Sequence, residues 1–143
     1  MAESVLPDPE TPFGRRVRRR LHEEIVIWLT TVGADGTPQP NPVWFLLEGE
    51  SILVYNRPDA HRLAHVRSRP RVALNLDTHG RGGDIIVLTG SAEVMEGERL
   101  PHENPDYVAK YSDHMIRVSG SLEGFSRRYP VPLRVRVQRV RGL

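Results

Sequence analysis

Residues 25–47 constrain the fold more than any other part of the chain. Ile25 to Val32 is apolar and β-branched, the composition of a buried strand. Gly33-Ala34-Asp35-Gly36 follows, and an Asp-Gly pair between apolar runs favours a tight hairpin turn. The chain returns through Pro38 to Leu47. Prolines at 38, 40 and 42 each remove a backbone donor, which a central strand does not tolerate. The first half of the return strand must therefore lie at a sheet edge or be irregular.

The remaining elements extend this sheet. Glu48-Gly49-Glu50 turns the chain into a third strand, Ser51 to Asn56. Pro58 to Arg69 reads as a helix, with Pro58 near its first turn, Leu63 and Val66 on its buried side, and Pro70 ending it. Arg71 to Leu76 is a strand, and Asp77 to Gly83 is a glycine-rich turn. Asp84 to Met95 is a long strand in which Gly90 marks a bulge or a close approach of backbone. Leu133 to Val140 alternates, with Leu133, Val135 and Val137 set against Arg134, Arg136 and Gln138, so one face is buried and one is wet. Helices are expected over Phe13 to Glu24, Asn104 to Ser112 and Ser121 to Tyr129. About six strands, mostly hairpin-linked and with short helices inserted, predict a mainly β fold: a closed or nearly closed antiparallel barrel.

With 143 residues the chain has room for one domain, expected over residues 13–143, behind a flexible arm over 1–12. A hydrophobic content of 38% and a charged content of 27% fit a soluble domain, and no apolar run reaches the length of a membrane span. Met1 to Pro12 lacks the order of a signal peptide, so a cytoplasmic protein is expected. The absence of cysteine excludes disulfides, thiolate metal sites and thiol nucleophiles. Of 20 basic residues only Lys110 is a lysine. Such a bias follows from high genomic GC content, or from an anionic partner that suits the guanidinium fork.

One segment combines a strand end with the start of a basic helix. Asn56 and Arg57 close the third strand, and Ala60, His61, Arg62 and Leu63 open the helix. Free N–H groups and the helix dipole favour an anion there, with Arg57 and Arg62 adding charge-assisted contacts. A solvated basic helix is the plain alternative. Trp44 and Tyr55, on adjacent strands, could flank a planar ring or pack in the core. Asn41-Pro42-Val43 could aim backbone groups at a ring edge, or protect the sheet edge. His61 and His65 are one helical turn apart, but no further ligand pattern joins them and no metal is expected. The Arg15 to Arg20 cluster lacks any nucleic-acid motif. No G-x-S-x-G motif, cysteine or carboxylate pair supports a hydrolase.

Asp35-Gly36-Thr37-Pro38 through Pro42-Val43-Trp44-Phe45 resembles the first hairpin of the pyridoxamine 5'-phosphate oxidase-like split β-barrel proteins, the FMN-binding-like barrels. Ala60-His61-Arg62-Leu63-Ala64-His65-Val66 with Arg69-Pro70-Arg71-Val72 resembles their phosphate-binding helix and next strand. Gly90-Ser91-Ala92-Glu93-Val94 resembles the long strand that follows. The resemblance covers roughly residues 13 to 143. Within this superfamily the chain is most similar to the small deazaflavin-dependent branch that uses coenzyme F420. It ends at Val140-Arg141-Gly142-Leu143, as a short subgroup does, and lacks the C-terminal Trp-Arg-x-x-Arg-Leu-like segment of true pyridoxamine phosphate oxidases.

The resemblance implies a homodimer with cofactor sites at the subunit interface. It implies hydride transfer between coenzyme F420 and a small organic acceptor such as an activated C=C. FMN is the alternative cofactor on the same barrel, and a non-catalytic flavin- or deazaflavin-binding protein is the alternative role. By resemblance, Asn41, Pro42, Val43 and Trp44 lie beside the ring, and Tyr55, Asn56, Arg57, Ala60, His61, Arg62 and Leu63 form the phosphate seat. Many relatives carry Lys where Arg62 stands and Asn where His65 stands; Arg62 keeps the charge. No catalytic acid is assigned, and neither nucleic acid nor membrane is expected as a partner.

Overall fold

The computed structural model describes residues 4–143, so the first three residues of the expected arm lie outside the described residues. From Ser4 to Thr11 the chain forms no helix or strand, yet it is tied down. Leu6 is buried, and the Arg18 guanidinium donates to the Pro7 carbonyl at 2.9 and 3.1 Å.

Helix α1 (Pro12–Glu23) is capped by Thr11, whose side chain accepts from the Gly14 N–H, and buries Val17 and Leu21. Its arginines are largely used within the chain. Arg16 and Arg20 pair with Asp84, Arg15 donates to the Glu10 carbonyl, and Arg18 holds the arm. The Arg15 to Arg20 cluster is thus mostly a set of staples.

The strands are β1 (Val26–Val32), β2 (Pro38–Trp44), β3 (Leu46–Glu48), β4 (Ser51–Asn56), β5 (Arg71–Asn75), β6 (Ile86–Val94) and β7 (Val131–Gly142). They form one antiparallel sheet in the order β2-β1-β5-β6-β7-β4-β3. β2 is an edge strand, as its prolines require. The sheet curls into a split barrel whose ends approach where β2 meets β4. There are seven strands rather than six, because the return strand breaks at Phe45 into β2, paired with β1, and β3, paired with β4. The β6–β7 register shifts between Thr89 and Gly90, and a Cβ on Gly90 would collide with the Arg136 carbonyl. Both readings of that glycine, bulge and close approach, therefore hold.

Two helices depart from expectation. Helix α2 (His61–Ser68) starts later than Pro58, which lies in the preceding loop, where the Ala60 N–H turns back to the Arg57 carbonyl. Helix α3 (Pro105–Ser119) runs about two turns beyond Ser112. Tyr107, Tyr111 and Met115 recur every fourth residue, so its buried face continues until Gly120 ends it with φ 81°. Helix α4 (Leu122–Arg128) follows at once.

Two cores result. The barrel interior holds Ile27, Leu29, Ile52, Val54, Leu74, Leu88 and Leu133, closed by Val17 and Leu21 of α1 and by Leu63 and Val66 of α2. Outside it, α3 and α4 pack Tyr107, Tyr111, Met115 and Phe125 onto Leu46, Leu53 and Tyr55. This second core carries the site.

Candidate functional site

A cleft of about 390 Å³ opens between the end of β2 and the helices α3 and α4. Pro42, Val43, Trp44, Tyr55 and Arg62 line it, together with Val26, Tyr107, Val118, Phe125 and Tyr129. Five of the residues singled out in the sequence thus converge on one cavity.

The Trp44 indole stacks on Tyr111 at 5.0 Å and on Phe125 at 5.3 Å, and Phe125 stacks on Tyr129 at 4.6 Å. Trp44 is therefore a packed residue that also forms cleft wall. Its position is fixed from beneath: the Tyr111 hydroxyl accepts from the Phe45 N–H at 2.8 Å and lies 2.7 Å from the Ile25 carbonyl. Tyr55 is fixed likewise, donating to the Arg99 carbonyl at 2.8 Å. Burial raises the pKa of Tyr55, Tyr107 and Tyr111.

Arg62 is the charge in the cleft. Its guanidinium donates to Asn56 Oδ1 at 2.6 Å. Asn56 is 1% exposed, and its Nδ2 donates to the carbonyls of Val54 and Val131 at 2.9 and 3.0 Å. The amide is held by both strands, so its oxygen can only face Arg62. Among the described residues no carboxylate lies within ion-pair distance of Arg62. Burial pulls its pKa down, yet a guanidinium stays charged. A half-buried cation with no counter-ion among the described residues is able to pair with an anion. The start of α2 reinforces it, since Ala60 offers no side-chain cap and no acidic residue occupies the first turn.

The other residues fall elsewhere. Leu63 is 3% exposed and packs in the barrel core, with Ala60 against that core. His61 is exposed, and so is Asn41, opposite Leu29 on the edge strand; neither lines the cleft. Asn56 contributes by orienting Arg62. The Arg57 side chain is 64% exposed, stands 3.7 Å from Asp59, and lines an adjoining groove with Arg127, Arg128 and Tyr129. His65 is bonded to Thr31 at 2.9 Å, and no cluster of potential metal ligands exists among the described residues. Sequence reading missed Val26, Tyr107, Val118, Phe125 and Tyr129. The spacing of Tyr107, Tyr111 and Met115 was the available signal, because it marks an aromatic helix face that needs a partner.

A split antiparallel barrel carrying an aromatic cleft between the end of β2 and the helices α3 and α4 defines the class by fold: a split β-barrel of the pyridoxamine 5'-phosphate oxidase type. The chain belongs to the pyridoxamine 5'-phosphate oxidase family, whose family model matches residues 13–142. No curated protein matches it.

Solved structures share the fold. A conserved hypothetical protein from Mycobacterium tuberculosis, Rv2991, matches with a TM-score of 0.67 at 17% identity, over 99% of this chain and 88% of that one. A structure described as an F420 reductase matches at 0.59 and 19% identity, over 87% of this chain and 94% of its own. The haem storage protein HutZ from Vibrio cholerae matches at 0.62 and 15% identity, over 90% and 92%. At these identities the likeness is one of fold alone. Among the described residues, no helix is long and apolar enough to cross a membrane.

Proposed function

We propose that the protein is an oxidoreductase that binds coenzyme F420 in the Trp44 cleft and transfers hydride between it and a small organic acceptor such as an activated C=C. The observation that carries this reading is Arg62: a half-buried cation, aimed by Asn56, with no carboxylate partner among the described residues, at the end of an aromatic cleft. It suits the phosphate of the coenzyme, and the Pro42-Val43-Trp44 wall suits the deazaflavin ring, which supplies hydride when bound. The fold shared with an F420 reductase supports the choice.

The chain's own residues would position and desolvate. Tyr55 and Tyr107, with raised pKa values, are poor acids, so the proposal leaves proton delivery to solvent. The cleft is open, and the half-exposed Val26 and Val118 flank it. A second copy of the chain covering them would make the homodimer with sites at its interface.

Titration with F420 and with FMN, each followed by fluorescence, tests the cofactor. Saturable F420 binding is expected, and Arg62→Ala should weaken it about 10- to 100-fold, the loss of one charge-assisted contact. Binding of FMN but not F420 would replace the cofactor. Unaltered binding by Arg62→Ala would remove the phosphate seat. Oxidation of reduced F420 by a panel of enones and quinones then separates an enzyme from a carrier, and sedimentation gives the oligomeric state.

A further inference from the structure

Lys110 is the chain's single lysine, and it is not placed as a solvating lysine would be. Its ammonium donates to the Phe45 carbonyl at 3.0 Å and lies 3.8 Å from the centre of the Phe45 ring and 5.3 Å from that of Tyr111. Among the described residues this is its one hydrogen bond, and no carboxylate is within ion-pair distance. A cleft of about 580 Å³ opens beside it and shares no lining residue with the Trp44 cleft. Leu21, Ile25, Leu46, Leu47 and Ala109 make its walls apolar, while His22, Glu23 and Asp106 supply its polar groups.

We propose that Lys110 is an imine-forming amine and that this cleft takes a small apolar aldehyde. A lysine becomes a nucleophile when its surroundings favour the neutral amine. Here burial pulls the pKa from 10.5 down to about 8, against the opposing pull of Glu24. Near pH 7 about a tenth of Lys110 is then free amine, against less than about a thousandth for an ordinary lysine.

The Nζ lone pair attacks the carbonyl carbon, and the carbonyl oxygen takes up a proton. The resulting carbinolamine loses water as the C=N bond forms. Amine and aldehyde give imine and water, so no oxidant or reductant is consumed. His22, Glu23 and Asp106 line the same cleft and can relay the protons. The protonated imine keeps a cation over the Phe45 ring. The carboxylates Glu23, Glu24 and Asp106 disfavour an anionic aldehyde, and the apolar walls favour an alkyl one.

The full chain is incubated with hexanal and cyanoborohydride near pH 7, and adducts are mapped by peptide mass. Reduction should trap hexanal on Lys110 at least about tenfold faster than on the side-chain amine of Nα-acetyllysine amide, with saturation in hexanal. Glyoxylate should react far less at Lys110 than hexanal does, with the terminal amine as the internal control. Leu47→Trp, which fills the cleft while leaving the amine in place, should slow labelling of Lys110 and not of the terminus. Labelling confined to the terminus, a Lys110 rate equal to that of the model amine, or indifference to Leu47→Trp overturns the proposal. The outcome is independent of F420 binding, because the Trp44 cleft takes no part in it.

Discussion

Inside the barrel, Ile27, Leu29, Ile52, Val54, Leu74, Leu88 and Leu133 fill space with aliphatic side chains; under α3 and α4, Tyr55, Tyr107, Tyr111 and Phe125 fill it with rings. The aliphatic core has no polar atom to place, so it selects for shape and volume. The aromatic core must find partners for buried hydroxyls. Tyr111 places its own on Phe45 and Ile25, and Tyr55 on Arg99, and in doing so both tie helices and loops to particular backbone atoms. Tyr55 meets Tyr107 edge-to-face, and Tyr107 meets Tyr111 at a tilt, each with ring centroids 4.8 Å apart. One core therefore makes the scaffold, and the other aims the wall of the cleft. Function is built where burial is directional.

Substitutions in the two cores should separate these roles. Leu88→Ala, at a fully buried barrel position, should lower stability by about 3 kcal/mol in urea unfolding. It should leave the folded-state emission of Trp44 unchanged when read in a Trp28→Phe background. Tyr111→Phe keeps the ring and removes the hydroxyl, leaving the Phe45 N–H and the Ile25 carbonyl without that partner. The expected loss is smaller, about 2 kcal/mol, yet Trp44 emission should shift, because its stacking partner is no longer anchored. An equal shift of Trp44 by Leu88→Ala would show that the two cores act as one.

The barrel was more legible than the cap, for a physical reason. Strands announce themselves locally: the Asp35-Gly36 turn, the proline-marked edge and the alternation of Leu133 to Val137 each follow from neighbouring residues. The break at Phe45 was not local, since β2 and β3 are the two opposite edges of the sheet, paired with β1 and β4. At the site, Trp44, Tyr55 and Arg62 were legible because strand ends and helix starts place them. Asn56 was singled out for the ligand, although its buried amide is already engaged by Val54, Val131 and Arg62. Arg57 reads like Arg62 in the sequence, and only the path of the loop decides that it turns to Asp59 and solvent. Tyr107, Phe125 and Tyr129 lie more than fifty residues away in sequence from the strand they cover, beyond the reach of any spacing rule.

Lys110 sits at the seam of the two cores, its ammonium over Phe45 of the barrel and Tyr111 of the cap, and it gives the smallest and most specific test. Its folded pKa, about 8, lies below the unfolded value of 10.5. Below about pH 8 both states hold the proton, and folding bears the full cost of desolvating the ammonium. Between about 8 and 10.5 the unfolded chain binds more protons than the folded one, so stability rises with pH; above that window the gain is complete. Because the side chain is partly exposed, the gain is discounted to about 1 kcal/mol. Lys110→Met has no proton to lose. The stability of the wild-type chain relative to Lys110→Met, from urea unfolding at stepped pH, should therefore climb across this window and be flat on either side. A difference that stays flat throughout would mean that the Phe45 carbonyl and the two rings repay the desolvation in full. The seam would then be as well satisfied as either core, and the free amine on which imine formation depends would be scarce at neutral pH.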